Sequence, residues 1–322
     1  MRENGTVMRV RLMDYVPGVD VVSDAIAVMR TGQPSSTRAA IGSSWSLGFA
    51  PYAGIGFHVA LRGGCRVFPE RGEPVTLGAG DVVLFPRGGG HVLTDTAADG
   101  PRNTVPFERW RPEEPVGGTG TTELLCGKYR LDRSRAHPLL AELPDLIAVA
   151  AGAGRHPELG SAVGLLGAEV RRARSGTGAV VTALLDVLLV YLLRAWFDEQ
   201  AETGRRCGWT AALTDPVVAA ALHALHEEPG KPWSVEALAG LAGTSRATLA
   251  RRFTALVGRP PMAYLTWWRM TSAARLLRES DLPLGGIATR VGYESPYAFA
   301  HAFKRAFDVA PGRYRQAGSP QR

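Results

Sequence analysis

Between residues 41 and 131 the apolar positions fall in short runs broken by glycine: Trp45 to Phe49, Gly56 to Phe68, Pro74 to Leu77, Asp81 to Pro86 and Glu123 to Leu131. Runs of this length, separated by turn sequences such as Arg62-Gly63-Gly64 and Gly78-Ala79-Gly80-Asp81, predict β-strands. No helical pattern lies between them, so the strands predict an antiparallel barrel or jelly roll. Eight of the 24 residues from Ala97 to Gly120 are Gly or Pro, which predicts a long exposed loop.

After about residue 135 the period changes to a helical one. Val181, Leu185, Leu188, Leu192 and Ala195 recur at spacings of four and three, a heptad seam lasting two heptads. Two uses of that seam stay open, packing within its own domain or pairing with a second copy of the chain. Thr203 to Thr214, with two glycines and Arg205-Arg206, reads as a linker, and Asp215-Pro216 supplies an N-cap and a first-turn proline for a new helix.

The last third contains an internal repeat. The segment from Val235 to Gly243 recurs 49 residues later from Leu284 to Gly292; one residue further on, Ser245, Leu249, Phe253 and Tyr264 match Ser295, Phe299, Phe303 and Tyr314. Each copy has an alanine four residues before a glycine, Ala239 to Gly243 and Ala288 to Gly292. The alanine lets two helices approach and the glycine lets the chain turn between them, as a helix-turn-helix unit requires. Ser245 and Ser295 stand where the second helix needs its N-cap. Between the copies, Met262 to Glu279 reads as one helix of roughly 27 Å at 1.5 Å per residue, near the ~34 Å between successive major grooves on one face of DNA.

Composition and charge sharpen this picture. A chain of 322 residues suits about two domains, and 45% hydrophobic with 21% charged residues excludes a disordered or collagen-like chain. From Trp209 onward there are 14 Lys and Arg against 8 Asp and Glu, whereas residues 1–208 hold 23 against 22, so nearly all of the net charge of +7 lies in the last third. A basic, helical, aromatic-rich segment is the footprint of nucleic-acid binding. Cys65, Cys126 and Cys207 are odd in number and scattered, which excludes a disulfide framework or a cysteine-rich zinc ribbon and points to a reducing cytoplasm. Met1 to Arg11 lacks the apolar core of a signal peptide, and Ala179 to Phe197 is interrupted by Asp186 and Arg194, so no membrane partner is expected.

With these residues in view, 216 to 322 resembles the two-unit DNA-binding domain of AraC/XylS-type transcription regulators. The matching positions include Leu238-Ala239, Gly243, Ser245, Arg252-Phe253, Pro261, Tyr264-Leu265, Arg269, Ala273-Ala274 and Ile287-Ala288. The stretch from Gly292 to Arg315, through Tyr293, Ser295, Phe299, Phe303-Lys304, Phe307 and Pro311, is the most specific part. The resemblance implies double-stranded DNA as partner. It puts Arg246, Thr248 and Arg251 of the first recognition helix and Tyr297 and His301 of the second at base edges, with Lys304, Arg305 and Arg315 on phosphates.

The run from Gly80 to His91 fits the second cupin motif, with Pro86 and Gly88 in place, so the first part of the chain resembles the cupin sensor that precedes this DNA-binding domain in many such regulators. The first cupin motif retains only His58, so the full enzyme-type metal set is absent. His58, His91 and Cys126 could still close a zinc site with two imidazoles and a thiolate. The competing readings are hydrogen-bonded core histidines with a small buried thiol, and a redox pair formed by Cys65 and Cys126.

The expected molecule is therefore an α+β two-domain protein. A cupin-like antiparallel β-barrel (1–155) is followed by a helical dimerisation or connector segment (156–207) and an all-α domain with two helix-turn-helix units (208–322). Its expected function is sequence-specific transcription regulation in response to a small ligand, metal or redox signal, without enzymatic activity. Its expected partners are DNA, a second copy of the chain, an unknown small-molecule effector and, for an activator, RNA polymerase. The alternative is a cupin metalloenzyme fused to a DNA-binding tail.

Overall fold

The computed structural model describes residues 21–29, 34–42, 44–96, 99–110, 122–130, 137–151, 154–172, 174–204 and 208–318. Helix α1 (Val21–Met29) precedes strands β1 (Ser35–Ile41), β2 (Ser46–Phe49), β3 (Gly54–Arg62), β4 (Cys65–Pro69), β5 (Val75–Leu77), β6 (Val82–Phe85), β7 (His91–Thr94), β8 (Val105–Pro106) and β9 (Thr122–Arg130). Helix α2 (Pro138–Glu142) and strand β10 (Ile147–Val149) complete the β-rich part. The strands form two five-stranded sheets, ordered β1-β9-β3-β6-β10 and β5-β4-β7-β2-β8.

Among the described residues their edge strands do not pair with one another, so the architecture is two facing sheets and not the closed barrel expected from the strand spacing. The first sheet is a middle layer. Alternation along β3 sends Ile55, Phe57 and Val59 into a core shared with the helices, while Ala60 joins a second core against Cys65, Val67, Leu77 and Leu93 of the other sheet. With both faces covered, β3 is buried from Gly54 to Ala60, which is why it reads as one apolar run. The register β1–β9 joins Ser35 to Lys128 and Ile41 to Thr122. Sequence patterning did not reveal β1, because Ser35-Ser-Thr-Arg-Ala-Ala-Ile buries only Ala39 and Ile41.

Helices α3 (Pro157–Arg172) and α4 (Thr177–Glu202) lie on the outer side of this sheet, anchored where Tyr129 Oη donates to the Leu185 carbonyl at 2.5 Å. Helix α4 is long and apolar enough to cross a membrane by length and composition, yet Leu185, Leu188, Leu189, Leu192 and Leu193 are all buried in the protein core. The heptad seam is thus internal: four of its five positions, Leu185, Leu188, Leu192 and Ala195, are buried against the chain itself. The expected linker is corrected in its second half, which forms α5 (Gly208–Thr214) with Trp209 buried and its backbone N–H donating to Glu142 Oε2 at 2.7 Å. Cys207 lies outside the described residues.

The remaining helices are α6 (Pro216–Glu227), α7 (Val235–Leu241), α8 (Arg246–Val257), α9 (Pro261–Glu279), α10 (Leu284–Arg290), α11 (Pro296–Phe307) and α12 (Pro311–Gly318). Asp215 caps α6 as its sequence predicts, accepting from the N–H groups of Val217 and Val218 at 3.0 Å. One continuous core runs from Phe57 of the sheet through α4 and α5 to Leu249, Phe253, Tyr264 and Trp268. The second helix-turn-helix unit has its own core, built on Ala273, Leu277, Ile287, Phe299 and Phe303. Helix α9 contributes to both.

Candidate nucleic-acid interface and sensor cavity

The two repeats fold as equivalent helix pairs, α7–α8 and α10–α11. Gly243 and Gly292 occupy the turns with φ of 63° and 77°, a region other residues enter only at a cost. Ser245 Oγ accepts from the Thr248 N–H at 3.2 Å and Ser295 Oγ from the Ala298 N–H at 3.1 Å, so both recognition helices start on the predicted caps. Each of these helices is 12 residues long, buries Leu249 and Phe253 or Phe299 and Phe303, and leaves its opposite side in water.

That open side carries most of the candidate DNA contacts. Arg246 and Arg251 are exposed on α8, and Tyr297, His301, Lys304 and Arg305 on α11, with Tyr297 at 87% exposure. Arg246 Nε is paired with Glu236 Oε1 of α7 at 2.9 Å, which aims it across the turn. Thr248 is half-buried and its Oγ1 accepts from Ser245 Oγ at 3.0 Å, so it completes the cap as well as standing at the helix start. Arg315 is placed differently from Lys304 and Arg305: its Nη2 donates to the Leu282 carbonyl at 2.5 Å and the residue is half-buried, so it ties α12 to the α9–α10 turn.

Arg252 and Arg269 hold the frame. Arg252 is ion-paired with Asp215, joining α8 to the start of α6. Arg269 donates from Nε to the Pro229 carbonyl at 2.7 Å and from Nη2 to the Lys231 carbonyl at 2.8 Å, clamping α9 to the α6–α7 loop. The family pattern marks Arg269, but only the fold reveals this clamp.

In the β-rich part, a cavity of about 180 Å³ lies between the sheets, lined by His58, His91, Cys126, Phe49, Tyr52 and Phe107 among others. His58 and Cys126 are direct cross-strand neighbours on β3 and β9, and His91 enters from β7 of the opposing sheet. The two imidazoles meet Nε2 to Nε2 at 2.7 Å. His91 Nδ1 lies 2.9 Å from the Gly89 carbonyl, which can only accept, so this nitrogen carries the hydrogen. In a neutral ring its Nε2 is then an acceptor and His58 Nε2–H the donor. Burial keeps both imidazoles neutral: it lowers the His91 pKa to about 4 and, with His91 beside it, holds His58 well below its ordinary value.

The His91 ring is sandwiched between Phe85 at 3.7 Å and Phe49 at 4.9 Å, both nearly parallel to it. Phe107 stacks on Phe49 at 4.6 Å and its N–H donates to the Gly48 carbonyl at 2.8 Å. The described part of the stretch expected to be an exposed loop, 99–110, therefore supplies a wall of the cavity, and 97–98 and 111–120 lie outside the described residues.

His58, His91 and Cys126 do share this cavity, but their placement is that of a hydrogen-bonded imidazole pair beside a thiol. Among the described residues no group of three His, Cys, Asp or Glu is placed to hold a metal ion. Cys65 and Cys126 are both free and buried. Burial pushes the Cys65 thiol up to about 12 and raises Cys126 as well, which favours the protonated thiol at both.

A cupin family model matches residues 20–198, and a helix-turn-helix domain model matches residues 238–317. The chain is 33% identical over 305 residues to a putative AraC-like transcription regulator of Streptomyces antibioticus, covering 94% of this chain and 100% of the relative. It is 32% identical over 268 residues to the HTH-type transcriptional regulator AlkR of Acinetobacter baylyi, covering 80% and 87% of the two chains. Among solved structures it is similar to the DNA-binding domain of AdpA, a global transcriptional factor, in complex with a target DNA. That match is 37% identical, covers 32% of this chain and 92% of the other, and has a TM-score of 0.30.

Proposed function

Since the chain belongs to the AraC-like transcription regulators, with a cupin unit ahead of its helix-turn-helix domain, we propose that it regulates transcription from a specific DNA site in response to a small organic effector held between the cupin sheets. The observation that carries the DNA-binding part is the tandem of two N-capped 12-residue helices, α8 and α11, joined by α9 and exposing Arg246, Arg251, Tyr297, His301, Lys304 and Arg305. Arg251 reads a base edge, and Lys304 and Arg305 engage phosphates.

The effector reading rests on the cavity. Aromatic walls of Phe49, Tyr52 and Phe107 suit an apolar body, and the His58–His91 pair offers a donor and an acceptor that a ligand group could exchange for its own. At about 180 Å³ the space suits a small molecule. A second reading, zinc at His58, His91 and Cys126, is favoured by one observation: the Gly89 carbonyl fixes the His91 ring with its Nε2 lone pair toward the cavity. It requires Cys126 to move and lose its proton. The named relatives are regulators, and turnover of a substrate by the full chain would be needed to revive an enzymatic reading.

The working form is a homodimer in the cytoplasm. With the Leu185–Leu188–Leu192 seam buried, the surface for a second copy is the outward side of α4, where Val180 and Val187 are 43% and 41% exposed; Leu165 of the neighbouring α3 is 61% exposed. RNA polymerase is a further partner if the protein activates.

The test is a titration of the full chain against selected duplex DNA. Arg251→Ala is expected to cost about 1–3 kcal/mol and relax one base position, while Lys304→Ala weakens all sequences alike and lowers the salt slope by about 1. Binding indifferent to sequence and salt would refute the reading. Metal content of wild type, His58→Ala, His91→Ala and Cys126→Ser separates the two effector readings: metal lost in all three variants supports zinc, and no metal in wild type leaves the organic effector.

A further inference from the structure

The two repeats use the same tyrosine differently. In the second unit Tyr314 Oη is bound by Arg278 Nη1 at 2.6 Å, a contact within the DNA-binding part. In the first, Tyr264 Oη lies 2.7 Å from His226 Nε2 and 3.2 Å from His137 Nε2. His226 belongs to α6, but His137 immediately precedes α2 on the cupin side. His226 Nδ1 continues the chain to Asp24 Oδ2 of α1 at 3.0 Å, across 202 positions of sequence. Two cupin-side groups thus converge on one tyrosine of the DNA-binding part, His137 directly and Asp24 through His226.

Hydrogen positions follow from the partners. The Leu139 N–H donates to His137 Nδ1 at 3.2 Å, so that nitrogen is an acceptor and His137 Nε2–H is the donor to Tyr264 Oη. Tyr264 Oη–H then donates to His226 Nε2, and His226 Nδ1–H to the Asp24 carboxylate. Every link has one donor and one acceptor with both imidazoles neutral. His137, His226 and Tyr264 are buried, packed among Trp209, Trp267 and Trp268, with the His226 ring stacked on Trp268 at 3.9 Å. Burial and the neighbouring His226 and Arg259 hold the His137 pKa well below its ordinary value, consistent with the neutral form.

A satisfied buried chain of this kind is all-or-none, because removing one member leaves its neighbours as unpaired polar groups in the core. It also sits at a mechanical junction. Tyr264, Leu265 and Trp268 of α9 belong to the core continuous with the cupin sheet, whereas Met270, Ala273 and Leu277 of the same helix belong to the second unit's separate core. A shift of α9 at Tyr264 therefore re-aims the second unit relative to the first.

We propose that the chain Asp24–His226–Tyr264–His137 is a latch by which the cupin unit fixes the start of α9, and that releasing it is the step through which a signal in the cupin unit changes DNA binding. The proposal rests on the regulator reading above and adds its transmission device.

The experiment compares full-length wild type with Tyr264→Phe, Asp24→Leu and Asp24→Asn, by amide hydrogen exchange and by DNA affinity. Asn at position 24 keeps an acceptor for His226 Nδ1–H and Leu does not. Expected for Tyr264→Phe and Asp24→Leu is exchange at least tenfold faster in α1, α2 and the first turns of α9 together, with α10 and α11 within twofold of wild type. DNA affinity should shift in the same direction by at least fivefold in both, with Asp24→Asn within twofold of wild type on every reading. Loosening confined to the substituted helix, or coordinated loosening with unchanged affinity, would overturn the latch. If Tyr264→Phe does not fold, the two Asp24 variants decide. If wild type selects no DNA sequence, the regulator reading is what fails; exchange then decides the latch, with loosening at α9 alone or at α1 alone counting against it.

Discussion

Gly243 and Gly292 fill the same place in the two repeats, both with positive φ, yet their surroundings differ enough to give unequal costs on substitution. A Cβ at Gly243 would meet nothing within 4 Å. Gly243→Ala should therefore pay only the left-handed backbone penalty, about 1–2 kcal/mol. At Gly292 an added Cβ would come within 2.7 Å of both Arg269 Nη2 and the Gly230 carbonyl oxygen. The carbonyl is backbone, and Arg269 is held by its bonds to the Pro229 and Lys231 carbonyls. Displacing it loses a charge-assisted hydrogen bond of about 1.5–3 kcal/mol, so Gly292→Ala should cost about 3–5 kcal/mol in all. Native-state hydrogen exchange on the full chain reads each unit separately. Roughly tenfold faster exchange is expected in α7–α8 for Gly243→Ala, against more than a hundredfold in α10–α11 for Gly292→Ala, at about 1.4 kcal/mol per factor of ten. Costs equal within about 0.5 kcal/mol, or a costlier change at Gly243, would refute the role assigned to the Arg269 clamp.

Other outcomes follow from the same geometry. Because burial lowers the His91 pKa from 6.5 to about 4, the unfolded chain takes up a proton first as pH falls; stability is full above 6.5 and should drop by roughly 3 kcal/mol by pH 4 from this group, with His91→Phe flattening the profile in urea titrations. Leu188→Asp puts a charge into the core and should unfold the helical layer, whereas Val187→Asp on the outward side should leave the fold intact and convert a dimer to monomer by light scattering; the reverse pattern would restore the heptad seam as the interface. Asp308 ends α11 with φ of 55°, where Gly258 ends α8 with 77°; Asp308→Gly should raise stability by up to about 1 kcal/mol in thermal unfolding, and a loss would contradict the strain argument.

What the sequence makes legible is what short-range pattern encodes. The tandem repeat, its serine caps, its turn glycines and the Asp215 cap depend on residues within a few positions of one another, and each is found where expected. Strand β1 was hidden because its outer face is polar and its burial comes from the length of β9 beside it. The leucines of α4 had an apolar period but no label for their partner, and the first sheet takes the place a second chain could have taken. His137 and His226 carried no recognisable spacing, since their meeting at Tyr264 depends on how the two parts of the chain dock. The contact of Arg315 was hidden for a related reason: a basic residue in a DNA-binding motif can also hold a turn, and only the fold shows its bond to the Leu282 carbonyl.

Hydroxyl-radical footprinting of the full-length protein on DNA selected from a random duplex pool tests the central claim most directly. The account predicts a consensus with two conserved stretches one helical turn apart, about 34 Å along the duplex, protected on one face. Arg251→Ala should erase preference in one stretch and Tyr297→Ala or His301→Ala in the other. A pool that yields no consensus, or one whose single stretch is insensitive to α8 or to α11, would contradict the assignment of this chain as a two-unit reader of DNA.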